Sequence, residues 1–243
     1  MANLKRPGGE LASRPLHFIW VVDCSGSMYG EKIGTVNHAI QSTIPEMADA
    51  AKDNPNAQLL VRTLKFSTGA SWVTTAPVRI EDFAWDDLDA GGVTDLGKAF
   101  EMLAAQLTIP PMSERALPPV LVLLSDGQPT DDYKKSLDKL LHLPWGKKAV
   151  RIAISIGQDA DDDVLEQFTG NRELVLQANN PQALVKMIKW ASTAASVVSA
   201  PASRPKDVEE FAVAKDLSAS NAPLVLDMNN IPDPASIGAG DVW

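Results

Sequence analysis

The chain predicts an α/β fold: a doubly wound, mostly parallel sheet with one antiparallel edge strand and helices on both faces. Three observations predict it. Short β-branched and aromatic runs alternate with segments of helical periodicity from Leu16 to Val198. Two of the runs, Phe18 to Val22 and Val120 to Leu124, are apolar without interruption, as in strands covered on both faces. Each ends abruptly in small polar residues and an aspartate, Asp23 and Asp126, and ligands of such sheets bind at the carboxyl ends of strands.

Met1 to Pro15 is polar and reads as a flexible lead-in, and Leu16 to Val22 is the first strand. From Glu31 to Lys52, Ile33, Val36, Ile40, Ile44, Met47 and Ala51 recur every three or four residues, an amphipathic helix that Pro45 should kink or break. Asn54-Pro55-Asn56 is a turn. Gln58 to Phe66 is a second strand, and Ser71 to Thr75 follows closely enough to form an antiparallel hairpin with it.

Ile80 to Asp89 is acidic, with Phe83 and Trp85 as anchors; Trp85 is the one that could instead be an exposed partner contact. After Gly91-Gly92, a helix face is marked by Leu96, Ala99, Phe100, Leu103 and Leu107, and Pro110-Pro111 stops it. Val120 to Leu124 is the central strand. Asp131 to Leu143 is a helix with Thr130 placed to cap it. Ala149 to Ile156 is a strand, and Asp161 to Phe168 a helix whose leading aspartates suit the positive end of its dipole. Glu173 to Leu176 is the last strand, and Pro181 to Val198 a long helix with proline at its start.

Residues 200–243 combine five prolines with seven acidic and three basic residues, a composition unsuited to a core of their own. Yet Val208, Phe211 and Val213, and Leu224, Val225, Leu226 and Met228, form apolar clusters. The expectation is an acidic tail or docking arm, with Leu224 to Met228 able to add a strand to a sheet edge. The domains expected are therefore a lead at 1–15, a globular domain at 16–199 and the tail at 200–243.

Composition narrows the function. A net charge of −9 argues against nucleic acid or an anionic membrane as partner. No stretch approaches a transmembrane span or a secretory h-region, and the single cysteine, Cys24, permits no intrachain disulfide; a cytoplasmic setting is expected.

The chemistry lies in Asp23-Cys24-Ser25-Gly26-Ser27. A strand that ends in one carboxylate and two hydroxyls offers oxygen ligands to a hard cation such as Mg²⁺. The spacing Asp23-x-Ser25-x-Ser27 resembles the metal-ion-dependent adhesion site of the von Willebrand factor A family, which adds a threonine from a later loop and an aspartate after the fourth strand. Thr94, in Thr94-Asp95-Leu96-Gly97-Lys98-Ala99, and Asp126 stand where those are expected. The resemblance implies that Ser25 and Ser27 bind the metal directly, that Thr94 does so in one state, and that Asp23 and Asp126 act mostly through metal-bound waters. It implies Mg²⁺ (or Mn²⁺), an open position filled by a partner's acidic side chain, and no enzymatic activity. A small domain with no attached catalytic unit looks most like bacterial tellurium-resistance-associated members, which work beside a protein kinase and a phosphatase. Adaptors of AAA ATPase or chelatase assemblies are the neighbouring reading.

A haloacid-dehalogenase phosphatase would also place an aspartate after the first strand. Its general acid, two residues later, is here Ser25, which cannot protonate a leaving group near neutral pH. His17, His38 and His142 show no ligand spacing, and Cys24 reads as a packed small residue.

Overall fold

The computed structural model describes residues 13–52, 54, 57–126, 128–158, 160–199 and 231, with side chains to Ser192 and at Ile231. Its elements run β1 (Arg14–Asp23), α1 (Glu31–Lys52), β2 (Ala57–Ser67), β3 (Gly69–Trp72), β4 (Val78–Arg79), α2 (Leu96–Gln106), β5 (Val120–Ser125), α3 (Tyr133–His142), α4 (Pro144–Lys148), β6 (Val150–Ile156), α5 (Asp162–Thr169), β7 (Val175–Ala178) and α6 (Pro181–Ser199).

The strands form one sheet in the order β3-β2-β1-β5-β6-β7, with β4 on the same edge of β2 as β3. Every pair from β2 to β7 along that order is parallel, and β3 and β4 run antiparallel to β2, so the antiparallel edge comes in two short pieces. The chain winds outward from β1 to β2, then returns to place β5 on the other side of β1. The order therefore reverses between β1 and β5, whose carboxyl ends carry Asp23 and Ser125-Asp126.

The period-two alternation of β1 divides the core. Leu16, Phe18, Trp20 and Val22 face α1 and α6, where Ile40, Met47, Leu184 and Ile188 pack on them. Ile19 and Val21 face Phe100, Leu137 and Phe168 of α2, α3 and α5. Burial on both faces is why β1 and β5 read as continuous apolar runs.

Some local details differ from the sequence expectation. β1 begins at Arg14, inside the expected lead, because the Arg14 guanidinium donates to Arg115 O and Ala116 O at 2.8 and 2.9 Å. Pro45 does not break α1: it and Gln41, whose carbonyl loses its amide partner to the proline, both face solvent, so no buried carbonyl is orphaned. The hairpin turns at once, pairing Ser67 with Gly69 (φ +79°), so β3 lies two residues earlier than expected. β7 falls two residues later than expected, after a 3-10 turn at Arg172–Leu174 in which Asn171 Oδ1 accepts from Glu173 N at 3.0 Å. β4 and α4, two and five residues long, are too short to leave a periodic signal.

The expected arm at 200–243, including a strand at Leu224 to Met228, lies outside the described residues except for Ile231, which packs half-buried against the α1/α6 side of the core. The same holds for residues 1–12 of the lead. No helix among the described residues is long and apolar enough to cross a membrane.

Candidate metal centre

Asp23 ends β1 fully buried. Its Oδ1 accepts the Ser25 amide at 2.8 Å and its Oδ2 the Ser125 hydroxyl at 2.6 Å. The first bond folds the chain back over the strand end; the second ties β1 to β5. Ser25 is also buried, and its Oγ lies 3.0 Å from the Oγ of Ser27, which is exposed on the 3-10 turn Gly26–Met28. Two hydroxyls three ångströms apart beside a buried carboxylate make one oxygen-lined spot.

The loop from Gly91 to Thr94 is bonded to this turn. Gly91 N donates to Cys24 O at 2.8 Å, and Gly26 N donates to Gly92 O at 3.1 Å. Gly92 has φ +86°, and a Cβ there would stand 2.5 Å from Thr68 Oγ1, so the close approach needs glycine. Thr94, 5% exposed, follows at the mouth of α2.

The third loop, after β5, is fastened to the second. Thr94 N donates to Thr130 Oγ1 at 3.0 Å, and Thr130 N returns a bond to Thr94 O at 2.8 Å. The Asp131 carboxylate accepts from Gly97 N and Lys98 N, at 2.9 and 3.2 Å, and so satisfies the first turn of α2. This overturns Thr130 as the cap of α3: the side chains of Thr130 and Asp131 are engaged at the start of α2, and α3 starts only at Tyr133, with no side-chain cap at Asp132. Asp126 is 3% exposed; it accepts Gln128 N at 3.4 Å, and its carbonyl accepts Asp161 N at 2.7 Å.

All five sequence-predicted residues therefore belong to three loops bonded together at the carboxyl ends of β1 and β5. Thr130, Asp131 and Ser125 bind those loops to one another, and sequence reasoning had given none of them that role. A threonine and an aspartate just before a helix signal its own N-terminus, and nothing local says that they serve a different helix. Asn37 is a fourth such residue. Its side chain, buried on α1, donates to Leu88 O and accepts from Leu88 N and Trp85 Nε1, all at 2.9–3.2 Å, and so anchors the acidic segment leading to Gly91. Trp85 is accordingly a core anchor, not an exposed contact.

Burial pushes the Asp23 carboxyl up to about 6, and the charge of Asp126 adds to the rise, against the hydrogen bonds from Ser125 and Ser25. Among the described residues, no lysine or arginine pairs with Asp23 or Asp126. Two buried carboxylates without a positive neighbour, beside two hydroxyls, fit a small hard cation, and they fit nothing apolar. No group of three or more His, Cys, Asp or Glu side chains placed to hold an ion occurs among the described residues, so the hydroxyls are a necessary part of any such donor set. Cys24 is buried and its thiol is pushed up to about 12 by burial and by Asp23, so it is no thiolate ligand or nucleophile.

The family model of the von Willebrand factor type A domain matches residues 18–190. Several solved structures share the fold. A von Willebrand factor type A protein from Catenulispora acidiphila is 15% identical, with TM-score 0.53 over 75% of this chain and 43% of that one. The ArnB paralog VWA2 from Sulfolobus acidocaldarius is 20% identical, with TM-score 0.55 over 72% and 44%. Proximal thread matrix protein 1 from the mussel byssus, with a zinc-occupied MIDAS motif, is 18% identical, with TM-score 0.57 over 77% and 49%. At these identities the likeness is one of fold, and this chain spans less than half the length of each. No curated protein matches the sequence.

Proposed function

This chain belongs to the von Willebrand factor type A domain family, a family of protein-interaction modules that commonly bind a divalent metal, and we propose that it acts as a metal-dependent protein-binding module. Ser25, Ser27 and Thr94 would hold the ion, with Asp23 and Asp126 behind them. The observation that carries this reading is the pair of buried carboxylates, Asp23 and Asp126, beside the paired serine hydroxyls, with no lysine or arginine bridged to either among the described residues.

The bound ion would supply Lewis acidity toward one further anionic oxygen, since hydroxyl donors leave its charge largely unneutralised. The chain's own residues do the rest. Asp23 orients Ser25 through its amide, Ser125 holds Asp23, and Thr130 fixes the height of Thr94. Mg²⁺ or Mn²⁺ suits this oxygen-only set. The partner supplies an aspartate or glutamate, and neither nucleic acid nor membrane is the target. The module is read as a socket and not an enzyme, because Ser25 occupies the position where a phosphatase of similar layout would need its general acid.

Its setting we propose to be a bacterial, cytoplasmic stress or tellurite-resistance-type signalling system with kinase and phosphatase partners. An adaptor role in an AAA ATPase or chelatase-type assembly is the neighbouring alternative. Both rest on resemblance in general character to members of the family.

Titration calorimetry with Mg²⁺ and Mn²⁺ tests the metal reading. One site is expected, lost in Ser25→Ala and in Asp126→Ala proteins that keep their far-UV circular dichroism. Equal heats in the wild type and both variants would remove the assignment. Affinity capture from cells, in Mg²⁺ and in chelator, tests the setting, with kinase, phosphatase or ATPase subunits as the distinguishing recoveries.

A further inference from the structure

Three large apolar side chains stand exposed among the described residues, and two of them crown the candidate metal centre. Tyr29 is 78% exposed and closes the turn that begins at Ser25, its amide donating to Gly26 O at 3.2 Å. Val93 is 45% exposed, immediately before Thr94, on the loop whose Gly92 carbonyl accepts the Gly26 amide. The third, Ile109, lies beyond the far end of α2. A single exposed apolar residue needs no explanation, but these two stand on loops that are hydrogen-bonded to each other beside one polar site. Neither belongs to the hydrophobic core.

Among the charges exposed around this pair aspartates outnumber lysines: Lys65 acts on Cys24 as Asp89 does, and Lys98 is paired with Glu101. Asp89 is exposed two residues before Gly91, close enough for its charge to act on Cys24. Asp132 is exposed two residues after Thr130. Asp161 is exposed, with its amide on the Asp126 carbonyl. None of the three is in an ion pair among the described residues. A partner presenting a run of acidic residues would bring like charges together at this rim, which is costly. A basic surface would be drawn to it.

We propose that the segment recognised here carries a single aspartate or glutamate beside an apolar side chain, set in a net-basic stretch. The carboxylate enters the metal centre, the apolar neighbour packs on Tyr29 and Val93, and lysines or arginines on the flanks face Asp89, Asp132 and Asp161. This rests on the metal-dependent reading given above. Tyr29 is the anchor: its ring offers a large contact area at the cost of few rotatable bonds.

Selection from a display library of random short peptides against the full chain in Mg²⁺ tests it. Recovered peptides are expected to share one acidic residue next to Leu, Ile, Val, Met or an aromatic, with Lys or Arg outside that pair. Synthetic versions should bind Tyr29→Ser and Val93→Ser proteins about tenfold or more weakly, while Mg²⁺ heats in calorimetry stay unchanged. Changing Asp132 and Asp161 together to Asn should flatten the salt dependence of peptide binding. Metal-dependent peptides that are rich in acidic residues, or that bind Tyr29→Ser and Val93→Ser as tightly as wild type, would overturn this inference and leave the metal reading standing. Peptides that stay bound in chelator would overturn the metal reading, and this inference with it.

Discussion

Arg62 and the Asp23–Asp126 pair are both charge taken out of water, and the fold treats them in opposite ways. Arg62, on β2, is 9% exposed and pairs with no carboxylate among the described residues, yet it is fully engaged. It donates to Gln106 Oε1 at 2.6 Å and to the Thr74 and Thr75 carbonyls at 3.3 and 2.9 Å, and its guanidinium lies 3.8 Å from the centre of the Trp72 ring. Neutral oxygens and a π face are sufficient for a guanidinium, whose charge is spread over three nitrogens. The two carboxylates are compact and lie near each other, and among the described residues the donors they receive are all neutral: Ser25 and Ser125 on Asp23, and Gln128 N on Asp126 at 3.4 Å. A buried charge closed off by neutral partners is a structural device. Buried charges of one sign left short of compensation mark a place where something is meant to bind.

The sharpest test replaces each in turn. Arg62→Met should cost about 2–4 kcal/mol in urea unfolding, because it strands three acceptors under the β2–β3 edge. Its Mg²⁺ affinity should stay within about twofold, since no metal-centre loop touches it. Asp126→Ala should do the reverse. It abolishes Mg²⁺-induced thermal stabilisation, while the metal-free protein keeps its stability or gains up to about 1 kcal/mol as repulsion with Asp23 is relieved. A metal-free Asp126→Ala protein several kcal/mol less stable would erase the distinction.

Acidity separates the two regions by sign. Asp23 is raised from 3.8 to about 6 in the folded chain, so the folded state binds more protons than the unfolded one between those values. Its contribution to metal-free stability is present below about pH 4 and is lost as pH rises through about 6. Metal affinity runs the other way, weakening as pH falls through about 6, where protons compete for Asp23. His17, buried and close enough to Arg62 to feel its charge, is held below its usual 6.5; its contribution is present above that value and is lost as pH falls. Urea midpoints in metal-free buffer between pH 4 and 8 are expected to show the first slope vanish in Asp23→Asn and the second in His17→Asn.

The smallest effect expected is that of Thr130→Ala. Losing the bond to Thr94 N should weaken Mg²⁺ binding a fewfold and shift stability by no more than about 1 kcal/mol.

Much of this was legible in the sequence because it rests on local signals. Strand runs, helix faces and the Asp23-x-Ser25-x-Ser27 spacing are properties of neighbouring residues, and Thr94 and Asp126 sit at element boundaries that periodicity exposes. What was not legible depends on partners far along the chain. Arg62 reads as an interruption in a strand until Gln106 and the Thr74–Thr75 turn are brought to it. Asn37 reads as one polar residue in α1, Thr130 as a cap for the helix that follows it, and Asp131 as that helix's first residue. In each case the side chain serves a segment that no local pattern connects to it.

The bonds at the candidate metal centre join Cys24 to Gly91, Thr94 to Thr130 and Asp23 to Ser125, so the three loops meet only when chain segments tens of residues apart have docked. This bears on the order of events in time. A half-folded chain with β1 formed but β5 unpaired has one loop and no cage, and a cation gains little by visiting it. Mg²⁺ should therefore leave the refolding rate after dilution from urea unchanged and slow unfolding in proportion to saturation, lowering one arm of the chevron and not the other. The ion would act as a lock on a finished molecule and would give no help in building it.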